Sequence, residues 1–267
     1  MESIFGASWA LVTGASSGLG AEFAKQLAAA GCNVLLTARS IDKLQALAAA
    51  LVDEYKVDAR ALPSDLAQPG GAQALWRSVE ALGLPIDHLI SNAGFGAAGP
   101  LVASEADRLG EMVRVNCEAL TVLSRLALSP MLDRGKGGII HVASTASFQP
   151  VPYMAVYGAT KAFVLSFSAA LSEEVRGRGL RIMALCPGPV PTGFQDVAGA
   201  DIAPSQKWAV LSAADTVTRA LEAYKDDRDV FIPGAMNFMG TLGSKLLPRR
   251  LLVKTVARMM KGKRKDG

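Results

Sequence analysis

ALVTGASSGLG, residues 10–20, runs from an apolar, strand-like stretch straight into a turn holding three glycines. A helical pattern follows over residues 19–30, so the turn joins a first strand to a first helix. Glycine lets the backbone bend sharply and approach a ligand there, and the start of a helix offers unpaired N–H groups to an anion. The spacing is G-x-x-x-G-x-G, so the common G-x-G-x-x-G fingerprint is not met. Taken alone, the turn reads equally as plain structure. Its place directly after an N-terminal strand favours a pyrophosphate cradled by Gly14, Ser16, Ser17, Gly18, Leu19 and Gly20.

Outward from this turn the same alternation repeats. NVLLTA (33–38) precedes a helical run over 41–55, and ARALPS (59–64) precedes another over 70–82. DHLISNA (87–93) leads into helical patterns through 107–132, and GIIHVAS (138–144) into the helix that carries YGATK. RIMALC (181–186) and DVFIP (229–233) complete seven strands, with a helical run over 213–224 between them. Strands apolar on both faces and separated by helices predict a doubly wound, mostly parallel Rossmann-like α/β sheet with right-handed crossovers. No linker interrupts residues 1–233, the expected dinucleotide-binding catalytic domain. Residues 234–267 read as a helical, basic C-terminal extension of that domain.

Where the second strand ends, a fold specific for NAD would place an acid for the ribose 2′-hydroxyl. This sequence has Ala38 and Arg39 there. An acid repels a 2′-phosphate, whereas arginine pairs with it, so Arg39 points to NADP. The competing reading is a solvated arginine at a strand end.

Bulk properties narrow the class further. The 267 residues suffice for a large α/β domain, and half are apolar. Cys32, Cys117 and Cys186 lack metal-site spacing, so no metal is expected and a reducing, cytoplasmic setting fits. Strand character from Ser8 leaves little room for a signal peptide. Residues 137–160 carry no Asp, Glu, Lys or Arg, yet Ser144, Gln149, Pro150 and Pro152 argue against a lipid-facing span. Net charge is +4, but from Lys245 onward nine Lys/Arg face the single acid Asp266, a net +8. The other 19 basic and 23 acidic residues leave the body at −4.

The uncharged stretch ends at Tyr157, with Lys161 one helical turn on and on the same face. Reducing a carbonyl needs a hydride on carbon and a proton on oxygen. A phenol with a pKa near 10 donates poorly at neutral pH. A lysine beside it favours the phenolate and is expected to bring that pKa toward the working range.

TGASSGLG, NAG (92–94), Asn116, Ser144, YGATK and CPGPVPT (186–192) together resemble the short-chain dehydrogenase/reductase family over roughly residues 8–233. The flavour of AEFAKQLAAAG and FQPVPYMAVYGATKAFVLSFS is that of its NADP-linked, broad-specificity carbonyl reductases. The resemblance implies a catalytic set of Asn116, Ser144, Tyr157 and Lys161. Ser144 would hold the substrate oxygen, Lys161 would also hold the ribose hydroxyls, and Asn116 would hold a relay water. It further implies cofactor contacts from Asp65 near adenine, from Asn92 and Gly94 near the ribose, and from Pro187, Gly188, Val190 and Thr192 near the nicotinamide. Plain readings stand beside these: Asp65 as a turn former, Asn92 as a cap, and 190–192 as loop. Ser17 stands where some NADP-linked members carry a base, leaving Arg39 to carry phosphate recognition. His88, His141, Cys117 and Cys186 read as core residues.

Phe95, Phe148, Tyr153 and Phe194, joined by Met236 and Met239, are expected to wall a pocket for an apolar or aromatic carbonyl compound. The family's substrate loop corresponds to residues 193–207. The leading function is an NADP-dependent carbonyl reductase. A ketosteroid or ketoacyl lipid reductase at a membrane surface is the alternative, and a non-catalytic cofactor-binding scaffold the third reading. A homodimer or homotetramer is implied through the YGATK helix and the one before it. The tail's Leu246, Leu247, Leu251, Leu252, Val256, Met259 and Met260 suit an apolar helix face that either packs on the body or lies on a membrane. Without an aromatic platform, nucleic acid is not expected.

Overall fold

β1 (Trp9–Thr13) is buried along its whole length, because its side chains meet helices on both faces of a sheet. The computed structural model describes residues 4–261 apart from Ala200 and Ala203. Among these, β1, β2 (Asn33–Ala38), β3 (Ala59–Pro63), β4 (Ile86–Ser91), β5 (Gly137–Val142), β6 (Leu180–Leu185) and β7 (Val230–Phe231) form one sheet. Its order is β3-β2-β1-β4-β5-β6-β7 and every pairing is parallel. The doubly wound fold read from the sequence is therefore present. Strand order reverses between β1 and β4, where such folds open a crevice at the carboxyl ends.

On one face α1 (Gly18–Ala29), α2 (Ile41–Tyr55) and α8 (Ala213–Lys225) bury Phe23, Leu27, Leu44, Leu51, Val217 and Leu221. On the other, α3 (Gly71–Ala81) and α5 (Leu120–Arg134) bury Leu75, Trp76, Val79, Leu123 and Met131. Helix α6 (Ala155–Glu174) lies against β5 and β6. It is long and apolar enough to cross a membrane, but its buried residues Gly158, Lys161, Val164 and Ser168 form the side packed on the protein. The uncharged stretch 137–160 is thus a strand, a 3-10 turn at Thr145–Phe148 and the start of α6.

The helical patterns expected over 107–132 resolve into two helices. The run over 107–132 divides into α4 (Ala106–Val113) and α5, joined by a π-helical turn at Arg114–Ala119. Such a turn admits an extra residue and often marks a functional position; here it buries Asn116. Both histidines are core residues, as expected. His88 bridges the Tyr224 hydroxyl (3.0 Å) and the Ile4 carbonyl (3.1 Å). His141 sits between Ser124 and Ser168, 2.7 Å from each hydroxyl, tying α5 to α6 through β5.

A short α7 (Phe194–Ala198) follows β6, and the C-terminal stretch forms α9 (Ala235–Leu246) and α10 (Arg249–Lys261). Leu252, Val256 and Met260 of α10 are buried with Val151, Met154 and Ala198. Residues 262–267, the end of the basic tail, lie outside the described residues.

Candidate active site

The glycine turn is built on backbone that other residues would strain. Gly14 and Gly18 have φ of +67° and +56°, the left-handed region. A Cβ on Gly20 would overlap the Gly14 carbonyl oxygen and stand 2.6 Å from Asn92 Nδ2. Asn92 Nδ2 donates to the carbonyls of Thr13 (2.9 Å) and Gly14 (3.3 Å). Thr13 Oγ1 accepts from the amides of Asn92 (3.0 Å) and Ala93 (2.9 Å). These bonds weld the end of β4 to the turn, so the side chain of Asn92 braces the cradle and does not cap a helix. Ser17 at the start of α1 makes no side-chain cap bond, which leaves that helix end open toward the crevice. Thr192 closes the other side, since a Cβ on Gly18 would lie 3.2 Å from its methyl.

Arg39 is exposed just beyond β2, and α2 begins two residues later. Asp65 is engaged in its own turn: its carboxylate accepts from the Ala67 amide (3.0 Å) and from Gln68 Nε2 (3.3 Å). The Pro187–Gly188 turn follows β6. A Cβ on Gly188 would overlap the side chain of Asn237 from α9, so this glycine is set by packing.

The four proposed catalytic residues come from three places, Asn116 from the π turn, Ser144 from just past the end of β5 and both Tyr157 and Lys161 from α6, and meet at the carboxyl ends of β4 and β5. Asn116 is clamped: Oδ1 accepts from the Phe95 amide (3.1 Å), while Nδ2 donates to the Phe95 carbonyl and to Thr160 Oγ1 (3.0 Å each). Gly94 makes room where Asn116 and Lys161 converge, for its added Cβ would stand 3.0 Å from Asn116 Oδ1 and 3.4 Å from Lys161 Nζ. Lys161 Nζ donates to the Val142 carbonyl at 2.6 Å. Ser144 Oγ accepts from the Ala146 amide (3.1 Å), which keeps its own O–H free to turn toward Tyr157.

Electrostatics depart from the sequence reading. Burial pushes the Tyr157 phenol up to about 12, and the Ser144 side chain is the group that opposes the rise. Lys161 does not lower it; the ammonium lies 5.9 Å from the ring centroid and bonds to the Val142 carbonyl. Burial also holds Lys161 down to about 8. An i, i+4 spacing puts both residues on one helix face, but the lysine's reach carries its charge past the phenol into the sheet.

The expected pocket wall is also redrawn. Tyr153 and Phe194 do join the apolar cluster around Tyr157. Phe194 tilts against the Tyr157 ring with centroids 5.4 Å apart, and a Cβ on Gly96 would lie 2.9 Å from its Cζ. Phe148 instead packs with Leu120, Ala143 and Val164, and Phe95 lies under the Arg108 guanidinium, 5.2 Å away. Met236 and Met239 are exposed on α9, because that helix turns its polar side inward. A cleft of about 270 Å³ runs beside Leu101, Leu109, Tyr153, Met154 and Ala257 of α10. In the substrate loop, Gln195 splints the chain, with Nε2 donating to the Val190 carbonyl (2.8 Å) and Oε1 accepting from the Thr192 amide (3.1 Å). Sequence reasoning missed Thr13, Gly96, Met154 and Thr160. Thr13 opens TGASSGLG, Thr160 lies inside YGATK, Met154 lies just before it and Gly96 stands two residues past NAG, so each sat in or beside a motif whose other residues drew the reading.

Known proteins share this fold. The family model of the short chain dehydrogenases matches residues 8–203. Very-long-chain 3-oxoacyl-CoA reductase-B of Danio rerio is 31% identical over 258 residues, covering 94% of this chain and 79% of its own. Among solved structures, a short-chain dehydrogenase from Sphingobium yanoikuyae in complex with NADPH is 33% identical with a TM-score of 0.80, covering 89% of this chain and 93% of that one. The bulky-bulky ketone specific alcohol dehydrogenase of Comamonas testosteroni is 29% identical with a TM-score of 0.76, covering 89% and 92%. With its match extending from β1 past the Gln195 splint, the chain belongs to the short-chain dehydrogenase family and is an oxidoreductase.

Proposed function

We propose that the protein is an NADP(H)-dependent reductase that converts a ketone or aldehyde to an alcohol, reversibly, with Tyr157 supplying the proton. The convergence of Asn116, Ser144, Tyr157 and Lys161 beside the glycine cradle carries the reading. The nicotinamide cofactor, when bound, supplies the hydride. The cradle fits its pyrophosphate, since Gly14, Gly18 and Gly20 sit where a Cβ would crowd Asn92, Thr192 and the Gly14 carbonyl, so bare backbone turns tightly into the open start of α1. Arg39 is free at the surface to meet a 2′-phosphate, and the NADPH held by the Sphingobium relative supports that choice. A phenol raised to about 12 stays protonated at neutral pH and gives its proton only as the arriving hydride makes the carbonyl oxygen strongly basic. Ser144 orients the carbonyl oxygen toward it and, as the group that opposes the rise caused by burial, steadies the phenolate left behind.

The apolar cluster around Tyr157, formed by Met154, Phe194, Val256 and Met260, suits a substrate with a substantial hydrocarbon part. A 3-oxoacyl or similar lipid ketone is therefore the second reading, supported by the name of the Danio relative. Residues 1–233 then form the catalytic part and 234–267 an extension of the same domain. A cytoplasmic homo-oligomer paired through α5 and α6 fits this reading, with Phe163 exposed on α6 and stacked on Phe167, which itself packs against His141.

Tyr157→Phe tests it, assayed with NADPH against aromatic ketones and 3-oxoacyl thioesters. Turnover should fall about 10²- to 10⁴-fold with cofactor affinity unchanged. A variant keeping more than about a tenth of wild-type turnover refutes the assignment.

A further inference from the structure

Helix α9 is inside out. Its buried residues are polar: Asn237, Thr241 and Ser244, each under a tenth exposed, spaced i, i+4 and i+7. Their bonds are met within the protein. Asn237 Nδ2 donates to the carbonyls of Ala209 (3.0 Å) and Pro233 (2.9 Å), and Ser244 Oγ to that of Thr241 (2.7 Å). The opposite stripe is apolar, with Met236, Phe238, Met239 and Leu242 between 45% and 61% exposed. An amphipathic surface helix ordinarily faces the other way. The orientation is held firmly, because the Asn237 side chain fills the space above Gly188.

Further apolar side chains are exposed on the segments before and after α9. Trp208, next to the carbonyl that Asn237 holds, is 58% exposed, Leu247 is exposed between α9 and α10, and Leu251 and Met259 are exposed on α10. Charge on this part of the chain has one sign. No Asp or Glu occurs between Asp229 and Asp266, while Arg249, Arg250, Lys254 and Arg258 are exposed on α10. With 12 and 13 residues, α9 and α10 are each too short to span a bilayer, which takes about 20. Exposed Met, Phe and Leu on a segment whose charged residues are all cations match the boundary between acyl chains and anionic headgroups.

We propose that α9 and α10 dock the enzyme in-plane on an anionic lipid surface, with the Met236–Phe238–Met239–Leu242 stripe inserted and the α10 arginines on the headgroups. This does not rest on the substrate reading. A docked face here would sit beside α10, whose other side walls the apolar cluster at Tyr157.

The test is co-sedimentation of the full chain with sucrose-loaded vesicles of phosphatidylcholine alone or mixed with phosphatidylglycerol. The expected result is binding to the anionic vesicles, weakened by salt, and little to phosphatidylcholine. Each cation near such a surface is worth roughly fivefold in partitioning, so Arg249→Gln with Arg250→Gln should weaken binding roughly 25-fold. Met236→Gln with Met239→Gln, both on the exposed stripe, should weaken it roughly tenfold or more. Circular dichroism melts establish that both variants fold. Absence of wild-type binding, or variants that bind like wild type, overturns the proposal. So does a light-scattering shift from oligomer to monomer in the methionine variant without vesicle binding, which would make this stripe a contact between copies of the chain.

Discussion

Lys161→Met should stabilise the protein while disabling it. Lys161 is buried, bonds only to the Val142 carbonyl in the described contacts, and has its pKa lowered from 10.5 to about 8 by burial. At about 1.4 kcal/mol per pH unit, holding that charge in the fold costs roughly 3 kcal/mol below pH 8. Methionine keeps the unbranched bulk without the charge and gives up one hydrogen bond worth about 1 kcal/mol. The variant without cofactor should therefore gain about 2 kcal/mol at pH 7. The sign with pH follows from the direction of the shift. Below about pH 8 both folded and unfolded lysine are charged and the penalty is full. Between about 8 and 10.5 the unfolded chain binds more protons, so wild-type stability rises and its deficit against the variant disappears. Urea unfolding of the cofactor-free proteins at pH 7, 8.5 and 10 reads the difference, with turnover measured in parallel. A variant no more stable than wild type at pH 7, or a gap that does not narrow toward pH 10, refutes the claim that the site stores an unfavourable charge for function.

Two other outcomes can be checked. Arg39, exposed past β2, should favour NADPH over NADH by about 10- to 150-fold in kcat/KM, the worth of a charge-assisted pair of about 1.5–3 kcal/mol. Ala38→Asp with Arg39→Gln should reverse this with kcat nearly unchanged, and equal use of both cofactors by the wild type refutes the assignment. Burial holds His88 down to about 4 and His141 to about 3, both below the unfolded value of 6.5. Stability is then complete above pH 6.5 and lost as pH falls, by about 3 kcal/mol at pH 4 for His88 alone. Urea midpoints that stay flat from pH 6.5 to 4 would contradict neutral, buried histidines.

The glycine turn, seven strands and YGATK were legible because each rests on local chemistry. Backbone at φ +67° calls for Gly14, and strands covered on both faces call for unbroken apolar runs such as LVT in β1. Arg39 announced itself by replacing an acid at a fixed place in a βαβ unit. The π-turn that buries Asn116 was invisible, since its residues suit an ordinary helix and only the clamp on Phe95 and Thr160 selects the wider turn. Spacing placed Lys161 beside Tyr157 on one face, yet where its ammonium ends depends on the Val142 carbonyl of a strand distant in sequence. Phe148, Met236 and Met239 were assigned to the pocket on composition; the packing of Leu120 and Val164 claimed the first, and the Asn237 anchor turned the other two outward. Sequence alone determined the fold and the residue types of its chemistry, because turns, strands and helix faces answer to neighbours in the chain. Which way each side chain points, and what charge it can bear, was decided by tertiary structure, because burial and hydrogen bonds come from segments the chain brings together only when folded.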